Sequence, residues 1–312
     1  MSDHAHDHAG HDHGHGHQHT PANFGKAFAI GIALNLAYVL GEAFYGVVAH
    51  SLALLADAGH NIGDVLGLAA AWLASALVKR RPTARYTYGL GGTSILAALG
   101  NAVLLLVVTG GIAWEAIRRL MDPQPASGTT IMVVAAAGIV VNGVTALLFA
   151  SGRKGDLNIR GAFLHMAADA GLALGVVVAG GVILFTGWQW LDPAVSLVVS
   201  IVIVAGTWGL LRDSVKLSLN AVPPGINEHK VEDYLGQHHG VSEVHDLHIW
   251  GLSTTETALT AHLVLADPAD GEALLLRLPD EIKDRFDIGH VTLQIETAAI
   301  AHACDLRSDH VV

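Results

Sequence analysis

Long apolar runs restrict what this 312-residue chain can fold into more than any other feature does. A helix needs about 20 apolar residues to cross a bilayer, and runs of that length recur between residues 24 and 219. Only 14% of the residues are charged, against about 25% in an ordinary soluble domain, which argues against one large soluble enzyme. The runs predict six membrane helices, at 24–49, 52–78, 91–120, 129–150, 158–186 and 191–219.

Composition divides the chain into four parts. Residues 1–22 contain eight histidines, no lysine and no arginine, which predicts a disordered His-rich tail. The six helices form a transmembrane domain over 23–220, a cytoplasmic domain follows over 221–298, and 299–312 is a C-terminal tail. Acidic residues outnumber basic ones by 11 after residue 220, and the whole chain has a net charge of −11. This acidity argues against a nucleic-acid partner.

Basic residues between the apolar runs predict the orientation in the membrane. The loops after the odd-numbered helices hold only two basic residues, Arg118 and Arg119. Seven basic residues follow the even-numbered helices: Lys79, Arg80, Arg81, Arg85, Arg153, Lys154 and Arg160. Because positive residues concentrate on the cytoplasmic side, both termini are expected in the cytoplasm, and the protein in the plasma (inner) membrane. A cytoplasmic location also fits a single cysteine, Cys304, kept reduced.

Two of the predicted spans carry ionisable residues at similar depth, where a charge is costly without a partner. His60 and Asp64 are four residues apart and share one helix face, with Asp57 one turn earlier. His165 and Asp169 repeat this spacing in the fifth span. Together they offer two nitrogen and two oxygen ligands, which suit tetrahedral Zn2+ better than Mg2+ or Ca2+. The alternative is a purely structural role in hydrogen bonds between helices, and the repetition of the pair argues against it.

Glycines recur every four residues beside both pairs. Gly59, Gly63 and Gly67 form such a stripe on the second span, and Gly171 and Gly175 form one on the fifth. Small residues at this spacing let helices approach closely. We expect this approach to help short Asp side chains on two helices reach one ion.

The C-terminal region predicts an αββαβ order. Helices are expected at 229–237 and 272–286, the latter interrupted at Pro279, and strands at 241–252, 257–266 and 291–297. Residues 245 and 248 have opposite strand parity, so at most one should face a given site unless the strand bulges. His302 and Cys304 are interpreted as solvated surface and tail. The candidate metal ligands here are His245, His248, His262, His290 and Glu296.

Four stretches resemble the cation diffusion facilitator family, and the resemblance extends from about Asn23 to Glu296. They are Ser51 to Asp64, Phe163 to Asp169, Val244 to Trp250 and His290 to Glu296. The resemblance implies a homodimer of six-helix protomers, each with a metallochaperone-like cytoplasmic domain. It also implies export of a divalent metal in exchange for protons through a four-ligand site between the second and fifth helices.

Individual residues sharpen this resemblance. His60 as the first ligand of the second helix resembles the zinc-transporting branch. His245 and His262 match positions that bind metal in some relatives, and Glu296 matches an acidic position. Gln294 stands where the family has a histidine, which is a departure from the pattern.

The sequence therefore predicts a Zn2+/proton antiporter with no organic cofactor. Metal and protons compete for the same lone pairs at His60, Asp64, His165 and Asp169, so metal binding releases protons. The His-rich tail is expected to capture Zn2+, and Cd2+ or Co2+ would accept the same ligands. The alternatives are a membrane-anchored zinc sensor and an intramembrane metallo-enzyme. The sensor leaves the ionisable residues in two spans unexplained, and four protein ligands leave no open position for catalytic water.

Overall fold

The chain folds into a bundle of six long helices followed by a small α+β domain. The structure, a computed structural model, describes residues 24–78, 80–150, 157–267, 269 and 271–304. Each bundle helix begins and ends within two residues of the position that the apolar runs predict. The helices are α1 (Phe24–Val48), α2 (Leu52–Val78), α3 (Thr93–Met121), α4 (Gly128–Ala150), α5 (Leu157–Thr186) and α6 (Leu191–Ser218).

The bundle is apolar outside and partly polar inside, the reverse of a soluble protein. Val107, Phe185 and Ile201 are exposed, whereas the carboxyl groups of Glu42 and Asp192 are buried. Among the described residues, four helices are long and apolar enough to cross a membrane, namely α3, α4, α5 and α6, and α1 adds a shorter apolar stretch over 33–48. Such an apolar exterior suits contact with lipid. Carboxyl groups buried inside it indicate a functional site in the bundle, because ionisable groups at membrane depth are costly.

Close backbone contact holds α4 against α5. A Cβ atom on Gly128 would lie 2.7 Å from the Gly180 carbonyl oxygen, and a Cβ atom on Gly180 would lie 2.9 Å from the Met132 amide nitrogen. Only glycine fits both positions, so these two helices pack as a unit. Helix α2 packs chiefly on α3, α1 and α6.

The C-terminal domain has the predicted αββαβ order with one further helix. The strands form a single sheet in the order β1-β2-β3, in which β1 and β2 are antiparallel and β2 and β3 are parallel. The elements are α7 (Glu228–Gly236), β1 (Val241–Gly251), β2 (Thr257–Leu265), α8 (Gly271–Phe286), β3 (His290–Glu296) and α9 (Ala298–Ala303).

Helix α8 continues through Pro279, which corrects the interruption expected there. Proline inside a helix costs about 3 kcal/mol through a lost hydrogen bond and a clash. Leu274, Leu278 and Ile282 lie on one face of α8 and are buried in the domain core. Burying each such side chain contributes about 1.5–3 kcal/mol, so the apolar face outweighs the proline.

Helix α9 is an element that the sequence analysis did not predict. The Thr297 side chain caps it by accepting a hydrogen bond from the Ile300 amide, and Ala301 is buried. A side-chain cap and a buried anchor are what fix the start and the face of so short a helix. The chain is therefore directed back over the sheet as far as Cys304, while 305–312 lie outside the described residues.

The domain contacts the bundle beside the loop between α2 and α3. The Thr254 amide donates a hydrogen bond of 3.0 Å to Ser94 Oγ at the start of α3. The rings of Tyr88 and His290 meet edge to face, with centroids 5.4 Å apart. The domain therefore lies at the end of the bundle where α2 ends and α3 begins.

Candidate metal centre

A carboxylate from another helix fixes the N-terminus of α2. Buried Asp192, in the first turn of α6, accepts hydrogen bonds from Ser51 Oγ (2.5 Å), Leu52 N (2.8 Å) and Ala53 N (3.4 Å). The first amides of a helix have no partner within it, and a negative charge complements that end of the helix dipole. Helix α6 therefore sets where α2 begins, and so the depth at which its ionisable residues lie.

The structure brings together the four residues that the two His-x-x-x-Asp pairs predict. Asp64 Oδ2 lies 3.5 Å from His60 Nε2 and 3.1 Å from His165 Nε2. Asp169 presents Oδ1 at 3.8 Å from His60 Nε2 and Oδ2 at 3.5 Å from His165 Nε2. Each carboxylate thus contacts an imidazole on its own helix and one on the facing helix.

The four nitrogen–oxygen separations, 3.1–3.8 Å, are close to the ligand–ligand separations of a tetrahedral shell. Metal bonds of 2.0–2.2 Å give tetrahedral ligand–ligand separations of about 3.3–3.6 Å. One ligand atom each from His60, His165 and Asp169 lies within 4.8 Å of the others. Within the described part of the chain, His60 Nδ1 and Asp169 Oδ2 are buried without a hydrogen-bond partner. A buried polar group without a partner is costly, and a bound cation would satisfy the carboxylate oxygen.

The two members of the centre that lie nearer the C-terminal domain are its more exposed members. The side chains of Asp64 and His165 are 30% and 40% exposed, whereas those of His60 and Asp169, one turn farther from that domain, are 16% and 2% exposed. Beyond them lies an apolar cluster from α2, the loop before α4, α4 and α5. The more exposed members of the centre are therefore those on the domain side. The buried members of that cluster are Ala53, Leu54, Ala126, Ile131, Ala135, Val176 and Ile183.

A second buried polar cluster lies between α1 and α2, next to the centre. Tyr38 Oη donates a hydrogen bond of 2.6 Å to Glu42 Oε1, and Glu42 interacts with the carboxyl group of Asp57 and with Asn61. Glu42 and Asp57 are almost wholly buried. Asp57 begins the helical turn that ends at His60, so this cluster extends the polar interior from the four ligands towards α1.

The glycine stripe of α2 faces α3 and not α5, which corrects the role expected for it. Cβ atoms on Gly59 and Gly63 would meet Val108 and Leu105 of α3, and one on Gly67 would lie 2.6 Å from Asn101 Nδ2. Spacing identifies a packing face but not the helix that covers it. The ligand side chains span the distance to α5 themselves, and the His60 and His165 ring centroids are 5.9 Å apart.

A second group of potential ligands converges in the C-terminal domain. His245 and His262 are paired across β1 and β2, and their rings meet edge to face with centroids 5.1 Å apart. Glu296, at the end of β3, lies 3.4 Å from His245 Nε2 and 3.1 Å from His262 Nδ1. Three of the five candidates in this domain therefore come together.

The other two candidates lie outside this group. A register shift between His245 and His248 shows that β1 bulges there, and Asp246 has a positive φ of 50°. His248 Nε2 is 2.8 Å from Asp246 Oδ1, so this imidazole faces a carboxylate instead of the group. His290 lies at the opposite end of the sheet, against Tyr88.

Sequence reasoning missed Cys304, whose sulfur lies 3.9 Å from His262 Nδ1. One ligand atom each from His245, His262, Glu296 and Cys304 lies within 4.8 Å of the other three. The signal available in the sequence was the threonine that caps α9, since a helix after β3 turns the following residue back towards the sheet.

Some predicted features lie outside the described residues. They are the His-rich tail over 1–22 and the basic residues Lys79, Arg153 and Lys154.

Comparison with known proteins supports the assignment of both parts of the chain. Residues 28–217 match the cation efflux transmembrane domain, and 223–298 match the cytoplasmic domain of cation efflux proteins. The chain is 36% identical over 301 residues to the cation efflux system protein CzcD of Alcaligenes sp., covering 96% of this chain and 92% of that protein. It is 35% identical over 271 residues to the zinc transporter ZitB of Escherichia coli, covering 86% of each.

Two further similarities complete the comparison. The cadmium, cobalt and zinc/H(+)-K(+) antiporter of Bacillus subtilis is 33% identical over 282 residues, covering 89% of this chain and 90% of that protein. The metal-bound C-terminal domain of the CzcD transporter from Cupriavidus metallidurans is 38% identical, with a TM-score of 0.21, and covers 23% of this chain and 99% of that one. The family matches span most of the chain, so this integral membrane protein belongs to the cation efflux (cation diffusion facilitator) family and is a transporter, not an enzyme.

Proposed function

We propose that the chain exports Zn2+ from the cytoplasm in exchange for protons, with His60, Asp64, His165 and Asp169 as the transport site. The observation that carries the proposal is the convergence of two imidazoles and two carboxylates from facing helices, with nitrogen–oxygen separations of 3.1–3.8 Å. All four ligands come from the protein, so the ion can be held without water. The zinc transporter ZitB among the relatives supports Zn2+ as the substrate.

The ligand types favour Zn2+ over other common cations. Two neutral imidazoles and two carboxylates are nitrogen and oxygen ligands, which suit Zn2+. Cu(I) instead prefers thiolate or thioether ligands. Mg2+ and Ca2+ prefer six or more oxygen ligands, including water. Cd2+ and Co2+ accept the same donors, and one relative is named for cadmium, cobalt and zinc together. We therefore expect selectivity among these three ions to be modest.

Competition between metal and protons supplies the coupling. Zn2+ needs the lone pairs of His60 and His165 and ionised carboxylates at Asp64 and Asp169, so its binding displaces protons. Exposure of Asp64 and His165 on the side of the C-terminal domain supports loading from that side. A shift of α2 and α5 that opens the apolar cluster at the other end would let external protons displace the ion.

The same proposal includes the setting of the transporter. The C-terminal domain and both termini lie in the cytoplasm, the bundle spans the cytoplasmic membrane, and two protomers associate. The match of 223–298 to the cytoplasmic domain of cation efflux proteins supports this orientation. The His-rich tail at 1–22 delivers Zn2+ to the accessible side of the site, as expected of a low-specificity metal-binding tract.

Transport by the purified protein in proteoliposomes tests the site. With an imposed pH gradient, the wild-type protein should move Zn2+ and protons in opposite directions, as reported by a zinc dye and a pH dye. Asp64→Ala and His165→Ala should each abolish both fluxes, whereas Asp122→Ala, an exposed carboxylate beyond α3, should retain them. If either site variant retained Zn2+ transport driven by the pH gradient, the proposed ligands would be refuted.

A second measurement separates antiport from mere binding. A zinc sensor anchored in the membrane would bind Zn2+ and release protons but would show no sustained flux across the vesicle. Competition by Cd2+ and Co2+ in the same vesicles then ranks the three ions. Removal of residues 4–19 should lower transport at limiting Zn2+, and an unchanged apparent affinity and rate would exclude the role of the tail.

A further inference from the structure

We propose that Glu42 and Asp57 hold one proton between them and pass protons from the side opposite the C-terminal domain to the metal centre. The two residues are not metal ligands, so their role deepens the proposed exchange of Zn2+ for protons and rests on it. Two features support this role. Two facing carboxyl groups are buried without a basic partner, and a cavity borders one of them.

The two carboxyl groups face each other inside the bundle. Glu42 of α1 interacts directly with Asp57 of α2, and the two residues are 1% and 2% exposed. Tyr38 Oη donates a hydrogen bond of 2.6 Å to Glu42 Oε1, whereas Glu42 Oε2 and Asp57 Oδ1 have no hydrogen-bond partner among the described residues. An ionised carboxylate only accepts hydrogen bonds, so a bond between the two groups requires that one of them keeps its proton.

The helices that pack on α1 offer no lysine or arginine to neutralise the pair. Helices α2 and α4 contain none, and the lysine of α1, Lys26, is about 24 Å from Glu42 along the helix. Two carboxyl groups that share a buried site rarely ionise together, so the pair holds one proton at neutral pH. The other ionisable groups that face the pair are Tyr38 and, from the metal centre, His60, Asp64 and Asp169.

The pair lies between the metal centre and the end of the bundle opposite the C-terminal domain. Helix α2 begins at that end, and Asp57 precedes His60 by about 4.5 Å along the helix axis. Asp57 is also within electrostatic reach of Asp169. Removing a cation from the centre therefore makes a proton on the pair more favourable, and binding a cation makes it less so. Proton uptake by the pair is thereby linked to the departure of Zn2+.

A cavity of about 470 Å³ between α1 and α4 borders Glu42. Tyr45 near the end of α1 lines it, as do Thr129 and Thr130 in the first turn of α4, and Tyr38 lines it next to Glu42. These ends of α1 and α4 lie opposite the C-terminal domain, so the cavity extends from that end of the bundle to the pair. A water molecule takes up about 30 Å³, so the cavity has room for several, and its hydroxyl groups can bind them.

The packing of α4 leaves room for the tyrosine hydroxyl beside the pair. A Cβ atom on Gly138 would overlap with Tyr38 Oη, so a larger residue there would displace the phenol from Glu42. Tyr38 therefore orients the Glu42 carboxyl through Oε1 and leaves Oε2 for the exchange of a proton.

The transfer balances protons and charge. A hydronium ion in the cavity gives a proton to the pair and becomes water. The O–H bond that the pair already has breaks, and its proton bonds to a lone pair at the metal centre that the cation has left. The pair then holds one proton as before, and the centre has gained one.

Infrared difference spectroscopy of the full-length protein in detergent tests the shared proton. A protonated carboxylic acid has a carbonyl stretching band apart from the carboxylate bands, and exposed carboxyl groups are ionised at neutral pH. The wild-type spectrum minus that of Glu42→Gln should contain the acid band at neutral pH. The control is Glu115→Gln, since Glu115 pairs with Arg118 and Arg119, and its difference spectrum should contain only carboxylate bands. Absence of the acid band from the first difference would overturn the inference.

Transport measurements separate proton transfer from a structural role. All four ligands remain in Glu42→Gln and in Asp57→Asn, so both variants should exchange labelled for unlabelled Zn2+ across proteoliposomes, which needs no proton. Their Zn2+ uptake driven by a pH gradient should fall about tenfold or more, because a proton-transfer group is lost. Glu115→Gln should retain both exchange and uptake.

Blocking the cavity tests the route. In the Cys304→Ser background, which has no other cysteine, Thr129→Cys labelled with a bulky maleimide should lose uptake driven by the pH gradient and retain Zn2+ exchange. Met121→Cys, at an exposed position at the same end that does not line this cavity, should retain both after labelling. Unchanged uptake in labelled Thr129→Cys would overturn the route.

Three results bear on whether this inference or the proposed function fails. Loss of both exchange and uptake in Glu42→Gln and in Asp57→Asn would leave the pair a structural role and overturn the inference. Uptake at the wild-type rate in Glu42→Gln would overturn it too, with the proposed antiport intact. A wild-type protein that shows the acid band but no uptake driven by the pH gradient would refute the antiport, and with it the transport role of the pair, but not the shared proton.

Discussion

Replacing Asp192 by alanine should destabilise the bundle through the N-terminus of α2. The substitution removes three hydrogen bonds, from Ser51 Oγ, Leu52 N and Ala53 N, and leaves these donors buried. Polar contacts within membrane proteins average about 0.6 kcal/mol and reach about 1.7 kcal/mol, and loss of a helix cap costs about 1 kcal/mol. Three such contacts give an expected loss of about 2–4 kcal/mol, or at least about 30-fold in the unfolding equilibrium.

The assay is equilibrium unfolding of the purified protein in mixed micelles, with the denaturing detergent increased stepwise. Asp213→Ala serves as the control, since Asp213 is a half-exposed carboxylate on the same helix that pairs with Arg212. Ser51→Ala alone should cost about 1 kcal/mol, and the double variant should cost less than the sum of the two by about 0.5 kcal/mol or more. Equal losses for Asp192→Ala and Asp213→Ala, or strict additivity with Ser51→Ala, would refute the cap.

Three further predictions concern packing, pH and a buried carboxyl group. Gly180→Ala should lower the free energy of unfolding by about 1–3 kcal/mol, because the added methyl group clashes with α4. Gly181→Ala should not, because a Cβ atom there meets no atom of the described residues within 4 Å. Thermal unfolding in detergent compares the two variants. Burial holds the pKa of His238 below its usual value of about 6.5. The unfolded state therefore binds a proton more readily than the folded state does. The C-terminal domain should accordingly lose stability as pH falls from 7.5 to 5.5. Urea unfolding of 221–304 should show a shallower pH dependence for His238→Asn, and an identical one would contradict this origin. Tyr38→Phe removes the hydroxyl that donates to buried Glu42 and should cost about 1–2 kcal/mol in the same detergent assay, and no loss would exclude that bond as a stabilising contact.

Hydropathy predicts the bundle well because the bilayer itself imposes the length of each helix. Helical spacing likewise places His60 with Asp64, and His165 with Asp169, on single faces. That the two faces meet is not contained in the spacing. It depends on which helices pack against α2 and α5, and the glycines of α2 pack against α3.

The features that the sequence did not predict depend on contacts distant in the chain. The interruption expected at Pro279 does not occur because the sheet buries the face of α8 that carries Leu278. Cys304 lies beside His262 because α9 turns back over the sheet, and the capping Thr297 is the one local signal for that path. The alternation of side chains along a strand does not predict the bulge at Asp246 either, since the bulge arises from the register with β2.

Backbone-to-backbone packing at Gly128 and Gly180 has a mechanical consequence for the proposed transport site. It makes α4 and α5 one stiff unit, and the glycines of α2 join that helix to α3 in another. Each unit supplies one imidazole and one carboxylate, so the ion would lie across a seam. Metal–ligand bonds tolerate displacements of only about 0.2 Å. Sliding one unit past the other by a single ångström would thus separate the ligand pairs, and the ion would leave without any ligand having to change its rotamer.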